Sequence, residues 1–273
     1  MSSRQGEVLT IPNAPPSLNP FFSLACESMP TKLYEGKAKI LYTTDDPEVL
    51  LSYFKDDATA FNAQKRGTIT GKGEVNCTIT AALLEYLEGQ GIPTHYLETV
   101  SPTEMRVRAV QIIPLEVVVR NVVAGSLARQ TGLPVGQVLS RPLVEFYYKN
   151  DDLGDPLLTG DRLQLMELAT PEQVSTLQHY ALQINQHLTA FFNRCGITLV
   201  DFKLEFGLDA QNQIRLADEI SPDTCRLWDQ GETDPERRVL DKDRFRHDLG
   251  QVEAAYETIR ARVLQAVTSG AAV

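Results

Sequence analysis

Three charged residues alternate with apolar ones in Val200-Asp-Phe-Lys-Leu-Glu-Phe-Gly207. With the two-residue period of a strand, Asp201, Lys203 and Glu205 share one side, and Val200, Phe202, Leu204, Phe206 and Leu208 share the other. A polar connection of hairpin length, Asp209–Gln213, leads into the return Ile214-Arg-Leu-Ala-Asp-Glu-Ile220. A turn centred on Gln211-Asn212 sets Glu205 opposite Asp218, with Cβ atoms roughly 4.5–5.5 Å apart. Carboxylates that close call for a cation, and Mg²⁺ suits hard oxygen ligands. The competing reading is a solvated polar face. Asp218 shares its parity with Ile214, Leu216 and Ile220, which argues against an openly wet one.

Other residues invite chemistry more weakly. Lys37 and Lys39 project to one side of a strand next to Gly36, a place for a turn or a close backbone approach. They suit a polyphosphate or, equally, a solvated strand edge. Arg120 lies inside the apolar run Val117-Val-Val-Arg-Asn-Val-Val123, so its charge is either partnered or aimed into a site. Gly125-Ser126 reads as a helix start with Ser126 as N-cap, and a helix N-terminus attracts anions. Asp223 and Arg226 follow the hairpin, just past a Ser-Pro-Asp turn. The stretch Gly67-Thr-Ile-Thr-Gly-Lys-Gly73 tempts a phosphate-loop reading and fails it: only three residues separate the glycines, and Gly73 stands where Ser or Thr is required.

The elements that must position these residues follow from periodicity and punctuation. Strands are expected over 32–42, broken at Gly36, and over 49–54, 94–100, 104–113 and 115–123. A loop over 55–73 leads into a helix over 74–89. Residues 142–160 are rich in turn formers and read as a long irregular loop. Thr170-Pro-Glu-Gln173 opens a helix with Thr170 as N-cap, Pro171 at its first position and Gln173 closing a capping box. Its buried stripe is Val174, Leu177, Ala181, Ile184, Leu188, Phe191 and Phe192, and Gly196 ends it. Helical segments over 241–246 and 252–267 close the chain, with Phe245, Leu249, Val252, Tyr256, Ile259 and Val263 facing inward; Arg244 and Arg246 read as solvated or ion-paired. The proline-rich residues 1–30 lack the pattern of a secretory signal and form an extension, on which Ser17–Phe22 is a candidate docking segment.

Composition narrows the classes. The chain has 273 residues, 42% of them hydrophobic, and a formal net charge of −10 without a long basic run. That disfavours a nucleic-acid or anionic-membrane binder but leaves room for a small anionic substrate. No apolar run approaches the ~20 residues of a membrane span. The four cysteines, Cys26, Cys77, Cys195 and Cys225, have no paired spacing, so reduced thiols in a cytoplasmic protein are expected. The four histidines are too scattered for a zinc site.

Taken together, the strings Leu33-Tyr-Glu-Gly-Lys-Ala-Lys39, Val118-Val-Arg-Asn121, Ala124-Gly-Ser-Leu127, Lys149-Asn-Asp151, Val200–Gly207, Asp218-Glu-Ile-Ser-Pro-Asp223, Arg226-Leu-Trp-Asp229 and Asp241–Arg246 strongly resemble the SAICAR synthetase family, in the family's order, from about residue 32 onward. The resemblance implies an α+β fold in two parts. An N-terminal antiparallel sheet over 31–114, similar to a kinase small lobe, would face a larger α+β part over 115–273, with ATP between them. The implied reaction joins 5-aminoimidazole-4-carboxylate ribonucleotide to L-aspartate at the expense of ATP. By the same resemblance, Gly36, Lys37, Lys39 and Lys149 serve ATP, and Glu205 and Asp218 carry Mg²⁺. Arg120, Ser126 and Arg226 hold the ribotide phosphate, Asp223 belongs to the substrate side, and Asp201 and Lys203 face the reacting carboxylate. A homodimer fits the family, and the aspartate pocket is left unplaced. Cys225 and most of 147–168 depart from the family pattern. Two other readings are a kinase-like phosphotransferase, which needs no Arg120–Ser126–Arg226 set, and a nucleotide-binding module without turnover.

Overall fold

The computed structural model describes residues 30–60 and 64–270. The N-terminal extension, with Ser17–Phe22 and Cys26, lies outside the described residues, as does Asn62. From Lys32 the chain lays down β1 (Lys32–Glu35), β2 (Lys39–Thr43), β3 (Val49–Phe54), β4 (Asp57–Ala60), β5 (Lys65–Thr68), α1 (Lys72–Gly89), β6 (Tyr96–Ser101) and β7 (Glu104–Arg108). Five of these strands form an antiparallel sheet in the order β1-β2-β3-β7-β6, and β4 pairs with β5 as a separate ribbon. That ribbon corrects the loop expected over 55–73. Alternation supports it, since Ala58 and Ala60 are buried while Asp57 is exposed. Gly36 does break the first strand, but Lys37 sits in the connection rather than on a strand, and only Lys39 begins β2.

The second part contains β8 (Gln111–Val122), α2 (Gly125–Thr131), β9 (Val138–Tyr148), a 3₁₀ turn (Asp151–Leu153), β10 (Leu157–Leu158), α3 (Gly160–Met166), α4 (Pro171–Arg194), β11 (Ile197–Leu208), β12 (Ile214–Leu216), β13 (Cys225–Asp229), α5 (Asp243–Arg246) and α6 (Val252–Gly270). Its sheet runs β10-β9-β8-β11-β12, and β13 also pairs with β11. Two sequence expectations change here. The strand expected over 104–113 divides between β7 and β8, so the domain boundary expected after residue 114 falls inside β8. The irregular segment expected from Pro142 begins only after Tyr148. Pro142 is tolerated because the β8–β9 ladder jumps there, from Leu143 opposite Arg120 to Val138 opposite Val122.

The long helix behaves as its sequence directs. Thr170 Oγ1 accepts from Gln173 N, Gln173 Oε1 accepts from Thr170 N at 2.8 Å, and Gly196 closes the end with φ 66°. Leu177, Ala181, Ile184, Leu188, Phe191 and Phe192 pack onto the large sheet. Helix α1 exposes only a narrow polar stripe that includes Glu74, Glu85 and Glu88. Its Val75, Ile79, Leu83 and Leu84 enter the main core, whereas Cys77 and Ala81 meet Phe54, Met105 and Val107 of the small sheet. It therefore joins the two sheets. Its first turn is held by Asp56, which accepts from Gly71 N at 3.1 Å and Gly73 N at 2.8 Å. A Cβ on Gly73 would stand 2.5 Å from the Phe54 carbonyl oxygen. Gly73→Ala is accordingly expected to lower the unfolding free energy by about 1–3 kcal/mol. Thermal or urea unfolding tests this, and an unchanged midpoint would show that the contact relaxes freely.

Candidate active site

Strand β11 is paired along its length, by β8 on one side and by β13 and then β12 on the other. Its charged row is not a wet face, because Asp201 and Glu205 are buried, and its charges meet partners from neighbouring segments. Asp201 lies opposite Arg120 on β8 and Arg226 on β13. Arg120 Nη1 donates to Asp201 Oδ2 at 2.8 Å, and Arg226 Nη1 donates to the same oxygen at 2.9 Å. Arg120 also donates to Glu145 Oε2 at 2.6 Å, Ser126 Oγ at 2.8 Å and Tyr147 Oη at 3.0 Å, and Arg226 Nε to Asp243 Oδ2 at 2.8 Å. Two guanidinium groups are thus fixed against one carboxylate, beside a hydroxyl. Such buried charges persist because they are paired on every side.

Gly125 makes room for this cluster. Its φ is 51°, and a Cβ there would come within 2.5 Å of Arg226 Nη2. Ser126 is not the N-cap expected of it. Ala124 caps α2 without a side-chain bond, and the Ser126 hydroxyl is committed to Arg120 instead. Val200 also leaves its expected place. The β11–β13 register shifts between Leu199 and Asp201, so Val200 packs with Val122, Ala124, Trp228 and Val239, whereas Phe202, Leu204 and Phe206 enter the main core.

Further along β11, Lys203 Nζ reaches Glu205 Oε1, Asp218 Oδ2 at 2.9 Å and Glu116 Oε1 at 3.4 Å. Lys39 Nζ meets Asp218 Oδ1 and lies 3.5 Å from Glu219 Oε1. Lys149 Nζ donates to Glu205 Oε1 at 2.8 Å, and Lys37 Nζ to Asp151 Oδ1 at 2.7 Å. Burial works against the charge on Lys203 and Lys39, but the surrounding carboxylates hold both ammonium groups above the ordinary lysine range. Burial likewise opposes ionisation of Asp218, and the same two lysines keep it well below the carboxylate range.

The register differs from the expected one by a single residue. Leu208 pairs with Ile214, so Ala217, not Asp218, stands across from Glu205, and Ala217 N donates to Glu205 O at 2.9 Å. The cause is a five-residue turn. Asp209 Oδ1 accepts from Gln211 N and Gln213 N, and Asn212 takes a left-handed φ of 58°. Asp218 still reaches the site because β12 ends at Leu216. The carboxylate directly opposite Glu205 is Glu116 on β8, and burial pushes its acid strength down. Sequence reasoning passed over Glu116, although the alternation Glu116-Val-Val-Val-Arg120 puts it on the side of Arg120. It also passed over Lys72, set aside with the failed phosphate loop, and over Glu145, Tyr147 and Glu219.

A cleft of about 1050 Å³ opens between the small sheet and the β11–β12 region. Gly36, Lys37, Lys39, Lys149, Lys203, Glu205, Asp218 and Asp223 line it, as do the apolar Leu41, Leu50, Val107, Val110 and Ile112. Arg120, Ser126 and Arg226 are gathered beyond its wall. In the cleft lining Asp223 accepts from Lys72 Nζ at 3.0 Å and Tyr256 Oη at 2.8 Å. Among the described residues no three carboxylate, histidine or cysteine side chains converge as a ready metal cage. The pair Glu205 and Asp218 fits a cation that keeps waters or phosphate oxygens as its other ligands, which is the habit of Mg²⁺. In this structure Lys203 bridges the two carboxylates.

The SAICAR synthetase family model matches residues 32–263. A phosphoribosylaminoimidazole-succinocarboxamide synthase of Nostoc punctiforme is 68% identical over 240 residues, covering 88% of this chain and 98% of that protein. The chain belongs to the SAICAR synthetase family. The crystal structure of the Ehrlichia chaffeensis synthase aligns with a TM-score of 0.82 at 41% identity, over 85% of this chain and 98% of that one. A SAICAR synthetase in complex with ADP aligns with a TM-score of 0.80 at 44% identity, over 84% and 96%. The α+β fold with its N-terminal antiparallel sheet is therefore the SAICAR synthetase fold. No helix among the described residues is long and apolar enough to cross a membrane.

The cleft also contains a pH-sensitive group. His95 is buried and its Nδ1–H donates to Leu216 O at 2.9 Å. Burial, with Lys39 nearby, pushes its pKa down to about 4. The unfolded chain therefore takes up this proton first as pH falls through ~6.5, and the native state is penalised by on the order of 3 kcal/mol by pH ~4. His95→Asn retains an N–H donor without the titration, so its stability is expected to decline less between pH 6.5 and 4. Parallel pH–stability curves for the two proteins would refute this.

Proposed function

We propose that this cleft performs the reaction of its family: ATP-dependent ligation of 5-aminoimidazole-4-carboxylate ribonucleotide to L-aspartate, giving the succinocarboxamide, ADP and phosphate, in purine biosynthesis. The observation that carries the reading is the division of one strand between two anion-handling centres. Arg120, Ser126 and Arg226 converge at Asp201, and Lys39, Lys149 and Lys203 converge at Glu205 and Asp218.

The first centre suits the ribotide 5′-phosphate. Both guanidinium groups are already oriented by Asp201, Glu145 and Asp243, so little ordering remains when the anion arrives. Asp201 then acts as the holder of two arginines, and Lys203 faces the reacting carboxylate. The second centre suits the nucleotide phosphates. Gly36 lets the chain turn between Lys37 and Lys39, and the apolar residues of the small sheet receive the base. Glu205 and Asp218 would hold Mg²⁺, which supplies charge neutralisation to the phosphates when bound.

A carboxylate is a poor electrophile until one oxygen is made a leaving group. The γ-phosphoryl passes to an oxygen of the ribotide carboxylate, breaking its bond to ADP. The aspartate amine then attacks the acyl carbon, the carbon–oxygen bond to phosphate breaks, and the nitrogen gives up a proton. Phosphoryl transfer of this kind needs positioning and neutralised charge rather than a protein nucleophile, which accords with the cysteines: Cys77 is pushed up to about 12 by burial and Cys195 to about 11. We place the enzyme in the cytoplasm, where such thiols stay reduced, with ATP lying between the parts 31–114 and 115–273. A homodimer is the assembly proposed from the family.

The test is turnover with ATP, Mg²⁺, the carboxylated ribotide and L-aspartate, following ADP and the succinocarboxamide. ADP release that ignores aspartate would favour a phosphotransferase instead. Asp218→Asn is expected to lose most turnover at ordinary Mg²⁺, at least about tenfold, by removing one charged ligand; near-normal kcat would sink the metal assignment. Gly125→Ala is expected to displace Arg226 and raise the KM for the ribotide about tenfold or more, with ATP affinity little changed. A selective loss of ATP binding would place the arginine wrongly.

A further inference from the structure

Strand β13 is held on both sides. On one it pairs with β11; on the other Asp229 N donates to Arg238 O at 2.7 Å and Leu240 N to Leu227 O at 2.9 Å. After Leu240 the main chain turns away toward α5, and a side chain takes over the ladder. Asp241 is 0% exposed, and its Oδ2 accepts from Leu227 N at 2.7 Å while its Oδ1 accepts from Asp243 N at 2.8 Å. One carboxylate thus grips the two backbone segments that carry Arg226 and Asp243, and Arg226 Nε donates to Asp243 Oδ2 at 2.8 Å. Arg244, expected to be solvated or ion-paired, is instead buried and donates to the carbonyl oxygens of Val239, Leu249 and Gly250 at 2.9, 3.1 and 2.7 Å. It ties the 239–250 loop to itself, and Asp241 joins that closed loop to the arginine strand.

The arrangement is costly. Burial and the neighbouring Asp243 push the Asp241 pKa up to about 7, against the pull of the two backbone N–H groups and Arg226. Burying an anion on these terms is weak evidence for stabilisation. What it secures is geometry, and the geometry has little slack. The β11–β13 ladder shifts register between Leu199 and Asp201, beside Arg226, so the sheet alone fixes that residue loosely. On the far side Arg226 Nη2 would lie 2.5 Å from a Cβ on Gly125, so Arg226 has no room to move that way. Both oxygens of Asp241 are engaged, because each backbone N–H takes one. We infer that Asp241 is a positioning residue for the ribotide-phosphate centre, holding Arg226 and Asp243 in the arrangement that receives the phosphate. The inference rests on the ligase reading above and adds to it a residue that acts through the backbone.

The experiment is steady-state kinetics on the full chain, varying each substrate with the other two saturating. Asp241→Asn keeps the size and shape of the side chain but has a single acceptor oxygen, so its NH2 group must face one of the two backbone N–H groups. The KM for the ribotide is expected to rise about tenfold, with the KM for ATP and the kcat at saturating ribotide within about threefold of wild type. A ribotide KM that does not move overturns the inference. So does a rise shared by the ATP KM and accompanied by a fall in kcat, which is what general loosening would give. If Asp241→Asn loses its cooperative thermal transition, hydrogen exchange at the Leu227 and Asp243 amides of wild-type protein is read in its place. Saturating ribotide is expected to slow both amides about fivefold or more, and unchanged rates overturn the inference equally. Wild-type protein that shows no aspartate-dependent ADP release fails the ligase reading, and this inference with it. Normal wild-type turnover with an unmoved ribotide KM in the variant fails the role of Asp241 alone.

Discussion

Carrying three alternating charges through the middle of a sheet constrains everything around β11. Asp201 and Glu205 are almost wholly buried and Lys203 is three-quarters so. A buried charge left unpaired costs several kcal/mol. Each member of the row must therefore recruit opposite charge from the neighbouring strands, and the recruits are the functional groups. Asp201 draws in Arg120 and Arg226; Glu205 and Asp218 draw in Lys203, Lys39 and Lys149. The interactions that stabilise the sheet and those that prepare it for anionic substrates are the same.

Such a site is pre-arranged but not rigidly closed. Ion pairs among the site's own residues hold the lysines and arginines in place before any substrate arrives, and arriving phosphates or a divalent cation would exchange partners within an existing network. The cost of gathering like charges at the moment of binding is thereby reduced. Glycines at crowded points permit this density. Gly125 stands against Arg226, and Gly73 against the backbone that ends β3. Helix α1 transmits the arrangement between the two parts, because one of its flanks is packed on the small sheet and Lys72 at its start is bonded to Asp223.

Much of this was legible in the chain. The capping box of α4, its buried stripe and its terminal Gly196 follow local rules of spacing and φ preference, and they appear as read. The alternation in β11 identified the charged row, and the combination of short strings identified the family. The errors came where a neighbour decides the outcome. The 57–68 ribbon and the early part of β9 contain turn-forming residues, yet strand partners override that preference. Ser126 has the chemistry of an N-cap, but Arg120 competes for its hydroxyl. The single-residue register difference arose from Asp209 folding the turn around its own carboxylate, which hairpin length alone does not disclose.

By itself the sequence determined which side chains carry charge, which strand and helix faces are apolar, and which family the pattern matches, because these depend on residue type and short-range period. Only the tertiary structure decided who partners whom. It set Ala217 rather than Asp218 across the hairpin from Glu205, with Glu116 opposite on the β8 side, placed both arginines on Asp201, and brought Lys72 across from the start of α1 to Asp223, 151 positions away in the chain. The physical reason is that charge pairing acts through space over a few ångströms. Residue spacing along the chain constrains such distances only within a single helix or strand.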